Sequence, residues 1–192
     1  MPSIQAAYDW EVYQCTQNNQ NLGYSMDYRN QQTINGITYY DCSSFQWYGL
    51  LNGGFDVVNA YRTATGWNYS GNAITTAYMG AFLEALGFVQ VSLNGEWKPG
   101  DILLRTAPTY NPGHTEMVYE GGTGTGRTMG AHDDSYPAGQ QVNVNSWWSN
   151  ASSYMYLYRY GATPPTPPGP GPGPTPGSRR KMPLMYYLRR IY

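Results

Sequence analysis

Apolar and polar positions along the chain predict helices in the first half and short strands in the second. The clearest helix lies within Thr75 to Leu86, where apolar residues recur at i, i+4, i+7 and i+8 and Gly87 follows as a cap. Two further helices are expected, one from near Ile4 to Gln17 and one from around Cys42 to just before Asn52. Helices followed by strands, without regular βαβ alternation, are typical of an α+β fold.

The predicted strands are short and separated by glycine-containing or polar segments. In the last strand, Tyr154, Tyr156, Tyr158 and Tyr160 are expected on one face. The Gly-rich segment 121–126 predicts a hairpin loop, because it lacks the Lys-Ser/Thr ending and the strand-to-helix context of a phosphate-binding loop. The strands are expected at Phe88 to Ser92, Asp101 to Arg105, Thr115 to Glu120, Arg127 to His132, Gln141 to Asn145 and Ser153 to Tyr160.

The composition excludes several classes of protein. Of 192 residues, 16% are aromatic and only 12% are charged, which is too much ring surface for a disordered chain. No apolar run reaches about 18 residues and the first residues lack a signal-peptide pattern, so we expect neither a membrane span nor signal-directed export. Two cysteines cannot form a disulfide framework, which favours free thiols in a reducing cytosol.

Proline and charge divide the chain into three parts. Residues 163–178 hold eight of the 14 prolines and predict an extended, disordered Pro/Gly linker after a domain over 1–162. Residues 179–192 carry five of the 11 basic residues together with Leu, Met, Ile and Tyr, whereas all 12 acidic residues precede them. We therefore expect a short basic aromatic tail that acts away from an acidic domain.

A cysteine at a predicted helix start is the first candidate for chemistry. Cys42 opens the second helix, where unpaired backbone N–H groups and the helix dipole stabilise a thiolate. A thiolate nucleophile needs a partner that protonates the leaving amine, and the sequence contains two histidines, His114 and His132. They lie at the start of one predicted strand and the end of the next. Antiparallel pairing would let His132 approach and orient His114.

Other interpretations of these residues remain open at this point. Cys42 would also fit a small buried hydrophobe, and each histidine a satisfied polar residue. A Cys-His-His zinc site is a further alternative, although no Cys-x-x-Cys or His-x-x-x-His spacing supports it. Cys15 is expected to be structural, because it lies inside the first helix with no base nearby.

Four motifs follow one another along the chain. They are Tyr24-Ser-Met-Asp-Tyr-Arg29, Tyr40-Asp-Cys-Ser-Ser44, Pro99-Gly-Asp-Ile-Leu103 and Gly113-His-Thr-Glu-Met-Val-Tyr119. In order and spacing they resemble the NlpC-type cysteine peptidases. The likeness is closest to phage peptidoglycan hydrolases (endolysins) of the pneumococcal phage amidase type, and it covers about residues 4 to 160.

This resemblance implies a papain-like minimal fold in which N-terminal helices pack on an antiparallel sheet. It implies Cys42 as the nucleophile, His114 as the general base and acid, and His132 as the polar third residue. Tyr24 matches the tyrosine that lines the cleft in that family, and the backbone N–H of Cys42 is expected to help stabilise the oxyanion. The resemblance implies no metal and no other cofactor.

Residues next to the motif positions are candidates for shaping the substrate site. Asp41 and Ser43 flank the nucleophile and are expected to shape a subsite. Asp27 and Arg29 are either structural or contact carboxylates of the substrate. Both pairs are assigned by their place in the motifs and not by geometry.

The third catalytic position has alternatives. The separation of 18 residues between His114 and His132 is longer than usual in the family. Asp133 and Asp134, which follow directly, are therefore alternative orienting residues for the base.

The expected function is that of a phage endolysin, which cleaves a peptidoglycan amide bond for host lysis. The bond is either the lactyl amide between muramic acid and L-Ala or one within the stem peptide. A virion-associated or bacterial wall hydrolase would share this chemistry, and a zinc amidase is another enzyme alternative. A non-catalytic wall-binding module, with Tyr and Trp stacking on sugars, is the alternative from a different class.

Peptidoglycan is the expected partner. Without a signal peptide, the protein is expected in the host bacterial cytoplasm until lysis and then at the cell wall. The basic tail is expected to contact anionic wall polymers or a membrane surface, with a solvated end as the alternative. Nucleic acid is not an expected partner.

Overall fold

A computed structural model of the chain describes residues 1–106, 110, 112–133, 137 and 139–162. These residues form four α-helices and two β-sheets, so the predicted α+β class is confirmed. The predicted linker, the predicted tail and Asp134 lie outside the described residues. No helix among the described residues is long and apolar enough to cross a membrane.

Three of the four helices lie where the sequence predicts them, to within one residue at each end. The fourth, α3, was not predicted. Asp56 caps its start, and Gly66 ends it in the left-handed conformation, with φ of 73°. The helices are α1 (Ile4–Thr16), α2 (Cys42–Asn52), α3 (Val57–Thr65) and α4 (Thr76–Ala85).

The main sheet is built from the second half of the chain. Its strand order is β4-β10-β5-β6-β7-β8, every neighbouring pair is antiparallel, and β9 pairs with β7. The strands in chain order are β1 (Leu22–Tyr24), β2 (Asn30–Ile34), β3 (Ile37–Tyr40), β4 (Phe88–Val91), β5 (Ile102–Arg105), β6 (His114–Gly122), β7 (Thr125–Ala131), β8 (Val142–Val144), β9 (Ser149–Asn150) and β10 (Tyr156–Tyr160).

The tyrosine alternation predicted for the last strand is wrong at its first member. Tyr154 precedes β10 and packs in a small cluster with Trp97 and Leu157, whereas Tyr158 belongs to the main core. A short 3-10 helix occupies Ala151–Ser153, and β10 begins only at Tyr156. The alternation of side chains in β10 therefore does not extend to Tyr154.

A small three-stranded sheet was not predicted and separates α1 from α2. Its order is β1-β3-β2, with β1 parallel and β2 antiparallel to β3. Asn35 and Gly36 connect β2 to β3 and both have positive φ, 52° and 83°, which is the backbone of a tight hairpin turn. Because β3 ends at Tyr40, this sheet fixes the chain just before α2 begins at Cys42.

Aromatic packing holds α2 in place. Trp47 of α2 is buried and stacks on Phe82 of α4 and on Tyr69, with ring centroids 5.3 and 5.4 Å apart. Helices α1 and α2 also pack on strands β6, β7 and β8 of the main sheet. Burial of a large side chain stabilises by about 1.5–3 kcal/mol, so several such rings fix α2 firmly against the strands that carry the histidines.

Glu11 of α1 is an ionisable group in the core. Its side chain is fully buried, and it accepts a hydrogen bond from Nε2 of Gln46 at 3.1 Å. Among the described residues, Oε1 of Glu11 and Oε1 of Gln46 have no hydrogen-bond partner. Burial raises the pKa of Glu11 well above its ordinary value, and the bond from Gln46 offsets only part of this effect. The fold therefore favours the protonated carboxyl.

Glu11→Gln is expected to raise the free energy of unfolding at neutral pH. A pKa that is raised in the folded state means that the wild-type carboxyl stabilises most below its unfolded-state pKa of about 4.3, and that this stability is lost as pH rises. The amide has no such loss, so we expect a gain of at least about 1 kcal/mol near pH 7 that shrinks toward pH 4. Melting curves across this range measure it, and a difference independent of pH would contradict the explanation.

Candidate active site

Cys42 is the first residue of α2, as the sequence predicts. The side chain of Asp41 caps this helix by accepting a hydrogen bond from the backbone N–H of Ser44 at 2.6 Å, and the N–H of Asp41 donates to Ser44 Oγ at 2.9 Å. Cys42 itself is only 5% exposed. The helix start places the partial positive charge of the helix dipole beside its thiol.

Arg29, in the connection between β1 and β2, fixes this helix start. Its Nε donates to Asp41 Oδ2 at 2.6 Å and one Nη donates to Ser43 Oγ at 2.8 Å. The guanidinium also donates to the carbonyl oxygens of Ala73 and Ile74, at 3.2 and 2.5 Å. Arg29 is therefore largely committed to the protein, which favours the structural alternative for this residue. Asp41 and Ser43, expected at a subsite, are buried and bonded to it.

Tyr24 lies at the end of β1, beside the chain that enters α2. It is opposite Tyr40 in the pairing of β1 with β3. Its backbone N–H donates to Oε1 of Gln141 at 2.7 Å, and the backbone N–H of His132 donates to the carbonyl oxygen of the same Gln141 at 2.8 Å. Tyr24 is therefore adjacent both to the cysteine helix and to the histidine strands.

The register of β6 and β7 brings the two histidines together. Met117 pairs with Met129, and this pairing, continued toward the start of β6, places His114 opposite His132. The ring centroids of His114 and His132 are 6.1 Å apart. The thiol of Cys42 is close enough to His114 to raise the pKa of its imidazole. The three predicted catalytic residues therefore meet at one place.

A buried carboxylate that the sequence analysis did not single out lies between the two rings. Oε1 of Glu116 is 3.5 Å from Nε2 of His114 and 3.1 Å from Nδ1 of His132. Glu116 is 2% exposed. It follows His114 by two residues on β6, and the two-residue period of a strand puts both side chains on one face. That spacing is the signal that would have identified it.

Neutral donors complete the surroundings of Glu116. Thr128 Oγ1 donates to Oε2 at 3.0 Å and Asn145 Nδ2 donates to Oε1 at 2.9 Å. The hydroxyl of Tyr154 donates to Oε2. With three neutral donors and two imidazoles around it, the carboxylate is well stabilised in its charged form despite burial.

Each imidazole lies between two acceptors. Nδ1 of His132 faces Glu116, and its Nε2 is 3.2 Å from the backbone oxygen of Asn143. His114 lies between Glu116 and the sulfur of Cys42. Contacts with acceptors at both ring nitrogens are attractive when both nitrogens carry a proton or when a cation replaces one of the protons. The surroundings of His114 thus favour its protonated form.

The ionisation of His114 and Glu116 reflects this arrangement. Burial alone lowers the pKa of His114, but the Glu116 carboxylate and the nearby Cys42 outweigh burial and raise this pKa to about 10. Burial alone raises the pKa of Glu116, yet the two imidazoles bring it well below its ordinary value. The phenol of Tyr154 has a raised pKa, because it is buried and lies next to the Glu116 charge.

The remaining candidates lie outside this group. Asp27 and Asp133 are exposed. Cys15 is a buried free thiol inside α1, and burial raises its pKa. Among the described residues, the ligand atoms that could hold a metal ion belong to His114, Glu116 and His132 and lie within 4.8 Å of one another. This set differs from the Cys-His-His alternative by having a carboxylate in place of the thiol.

A buried cysteine, two histidines and a carboxylate on an α+β scaffold define a site suited to nucleophilic hydrolysis. Over residues 8–165 the chain matches the family of bacteriophage peptidoglycan hydrolases, and it belongs to that family. It is also 34% identical over 104 residues to the lysin of Pneumococcus phage Dp-1, an alignment that covers 52% of this chain and 29% of that lysin. The chain thus spans less than a third of that relative, and the prediction of a phage peptidoglycan hydrolase is confirmed as a family assignment.

Arg29→Lys is expected to destabilise the protein although it keeps the positive charge. An ammonium group cannot donate in several fixed directions, so the bonds to Asp41, Ser43 and two carbonyl oxygens cannot all persist. Removing one partner of a buried pair costs about 3–5 kcal/mol, and we expect roughly half of that for lysine. Thermal unfolding measures the loss. Arg62→Lys, at an exposed position of α3, is the matched control, and equal melting temperatures for the two variants would contradict this role of Arg29.

Proposed function

We propose that this protein is an endolysin-type hydrolase that cleaves an amide bond of peptidoglycan with Cys42 as the nucleophile. The observation that carries the proposal is the placement of Cys42, at the start of α2, beside His114, which Glu116 holds in its charged form. Family membership supports peptidoglycan as the substrate and hydrolysis as the reaction. It favours an enzyme over a non-catalytic wall-binding module.

The proposed reaction has two steps. The Cys42 thiolate attacks the amide carbonyl carbon, and the backbone N–H of Cys42 donates to the oxyanion that forms. The C–N bond then breaks as the His114 imidazolium gives its proton to the leaving nitrogen, which leaves a thioester on Cys42. Neutral His114 takes a proton from water, the resulting hydroxide attacks the thioester, and the thiolate and imidazolium are restored with release of the acid.

Glu116 and His132 are proposed as positioning residues behind His114. The carboxylate orients the His114 ring and stabilises its charge, as the third member of a catalytic triad does. Nδ1 of His132 contacts the same carboxylate oxygen, Oε1, at 3.1 Å and holds it in place. In this proposal the polar third residue that contacts His114 is Glu116, and His132 acts through it. Sequence spacing alone had pointed to His132 or to Asp133 and Asp134.

The residues around Cys42 take supporting roles in the proposal. Tyr24 lines the cleft beside the nucleophile, which its position between the cysteine helix and Gln141 supports. Asp41, Ser43 and Arg29 position the helix start, since their side chains are bonded to one another.

Family membership and the basic residues of 179–192 support a proposal for where the protein acts. A phage lysin acts on the host wall, so we propose that the protein accumulates in the host cytoplasm and degrades the wall at lysis. The bond cleaved is either the lactyl amide of muramic acid or a stem-peptide amide. The basic residues of 179–192 are proposed to contact anionic wall polymers or lipid headgroups.

Cys42→Ala is expected to abolish lysis, because no other described group at the site can form the thioester. Purified wild type should clear a suspension of Gram-positive cell walls and release new amino groups or lactyl-linked fragments, whose masses identify the bond. We expect a loss of at least about 10³-fold for Cys42→Ala. Cys15→Ala, which removes the other thiol, is the matched control and should keep activity. Wild-type clearing by Cys42→Ala would refute cysteine catalysis.

Glu116→Gln is expected to shift the alkaline limit of activity to lower pH. The Glu116 charge raises the pKa of His114 to about 10, so the wild-type imidazolium should persist to about that pH. Removing an opposite charge at this distance lowers such a pKa by roughly one to three units. Initial rates of wall hydrolysis, measured against pH on chelator-treated protein, give the limit.

Glu120→Gln is the matched control for this experiment. Glu120 is an exposed carboxylate on the same strand, paired with Arg127 at 3.6 Å. Its replacement should leave the alkaline limit in place. An unchanged limit in Glu116→Gln, with the variant shown to be folded by circular dichroism, would contradict the role given to Glu116.

A further inference from the structure

His114, Glu116 and His132 meet the requirements of a binding site for a zinc ion. We infer that Zn²⁺ binds to this set and, in doing so, inhibits the enzyme. The inference rests on the proposed cysteine chemistry, because a metal on the general acid and base can inhibit only an enzyme that uses them as such. Zinc is inferred here as an inhibitor of the enzyme and not as a cofactor of its reaction.

The ligand atoms already have separations close to those around zinc. Zinc in proteins takes imidazole nitrogen and carboxylate oxygen at about 2.0–2.2 Å, so neighbouring ligands of a tetrahedral ion lie about 3.3–3.6 Å apart. The two contacts of Glu116 Oε1 with Nε2 of His114 and Nδ1 of His132 measure 3.5 and 3.1 Å. The three ligand atoms all lie within 4.8 Å of one another. Small side-chain shifts suffice to admit the ion.

The surroundings of these ligands are those of a metal centre. A metal-binding histidine usually donates its other N–H to a backbone carbonyl, and His132 has its Nε2 3.2 Å from the oxygen of Asn143. A ligating carboxylate is usually held by further hydrogen bonds, as Asn145 and Thr128 hold Glu116. The ligands are thus oriented before the ion arrives.

The site also offers a negative charge to a divalent cation. The Glu116 side chain is buried, and its Oε1 is the oxygen that faces both Nε2 of His114 and Nδ1 of His132. A cation bound at this point is paired with a carboxylate, and that pairing offsets part of the cost of bringing the ion out of water.

Zinc at this position would stop catalysis through His114. With Nε2 bound to the metal, the ring can give up its remaining proton only by becoming an imidazolate, so it can no longer act as acid and base in turn. Cys42 does not belong to the ligand set. Loss of its thiol should therefore leave zinc binding intact, whereas loss of His132 should not.

The test uses the full chain, freed of metal by a chelator, with Zn²⁺ as the probe. Isothermal titration calorimetry measures binding, and clearing of cell walls measures activity. We expect one zinc per chain, at least a tenfold loss of lysis at saturating zinc, and recovery when EDTA is added. Cys42→Ala should bind zinc like wild type. His132→Ala should bind at least about 100-fold more weakly, and Asn145→Ala about 10–100-fold more weakly.

The outcomes separate this inference from the proposed function. If wild type lyses walls but binds no zinc, or if His132→Ala and, as a second ligand variant, His114→Gln bind zinc like wild type, the metal site is refuted and the cysteine mechanism stands. If EDTA abolishes lysis and zinc restores it, inhibition and cysteine catalysis are both refuted in favour of a zinc hydrolase. Weaker zinc binding by Cys42→Ala would refute the three-residue ligand set.

Discussion

The charge of Glu116, buried beneath two imidazoles, determines how the candidate active site is arranged. A carboxylate removed from water is costly unless it is paired and fully hydrogen-bonded. The structure meets this condition with His114 and His132 on either side and with hydrogen bonds from Thr128, Asn145 and Tyr154. Because the carboxylate keeps its charge, it can hold His114 charged, and a charged His114 is the partner that a cysteine nucleophile needs. The ionic state of the whole site follows from this one buried group.

The fold meets this constraint by packing a helix on a sheet. The main sheet carries the histidines and Glu116 on neighbouring strands, so the β6 and β7 register fixes their separation. Helix α2 carries Cys42 and packs on β6 and β7, with its aromatic residues in the core. Its start is held by Arg29, which directly precedes β2 of the small sheet. Mutations in the small sheet are therefore expected to act on the nucleophile without touching it.

The sequence predicted elements with strong local signals and missed those that needed tertiary context. The cysteine helix and both histidine strands follow from periodicity and capping. The hairpin at Asn35 and Gly36 has a recognisable turn signal, but the strand before it, β2, is polar and largely exposed, which hides the usual alternation. Glu116 was overlooked for a different reason. Its spacing of two residues from His114 places it on the same strand face, but a contact with His132 as well appears only when the register of β6 and β7 is known.

Glu116 keeps His114 protonated well above neutral pH, and this can be measured on His114 itself. The ring nitrogen resonances of His114 can be followed by NMR from about pH 5 to pH 11 in protein labelled with ¹⁵N-histidine and freed of metal. We expect a titration midpoint near the raised pKa of about 10. A midpoint near 6.5, the ordinary pKa of histidine, would contradict it.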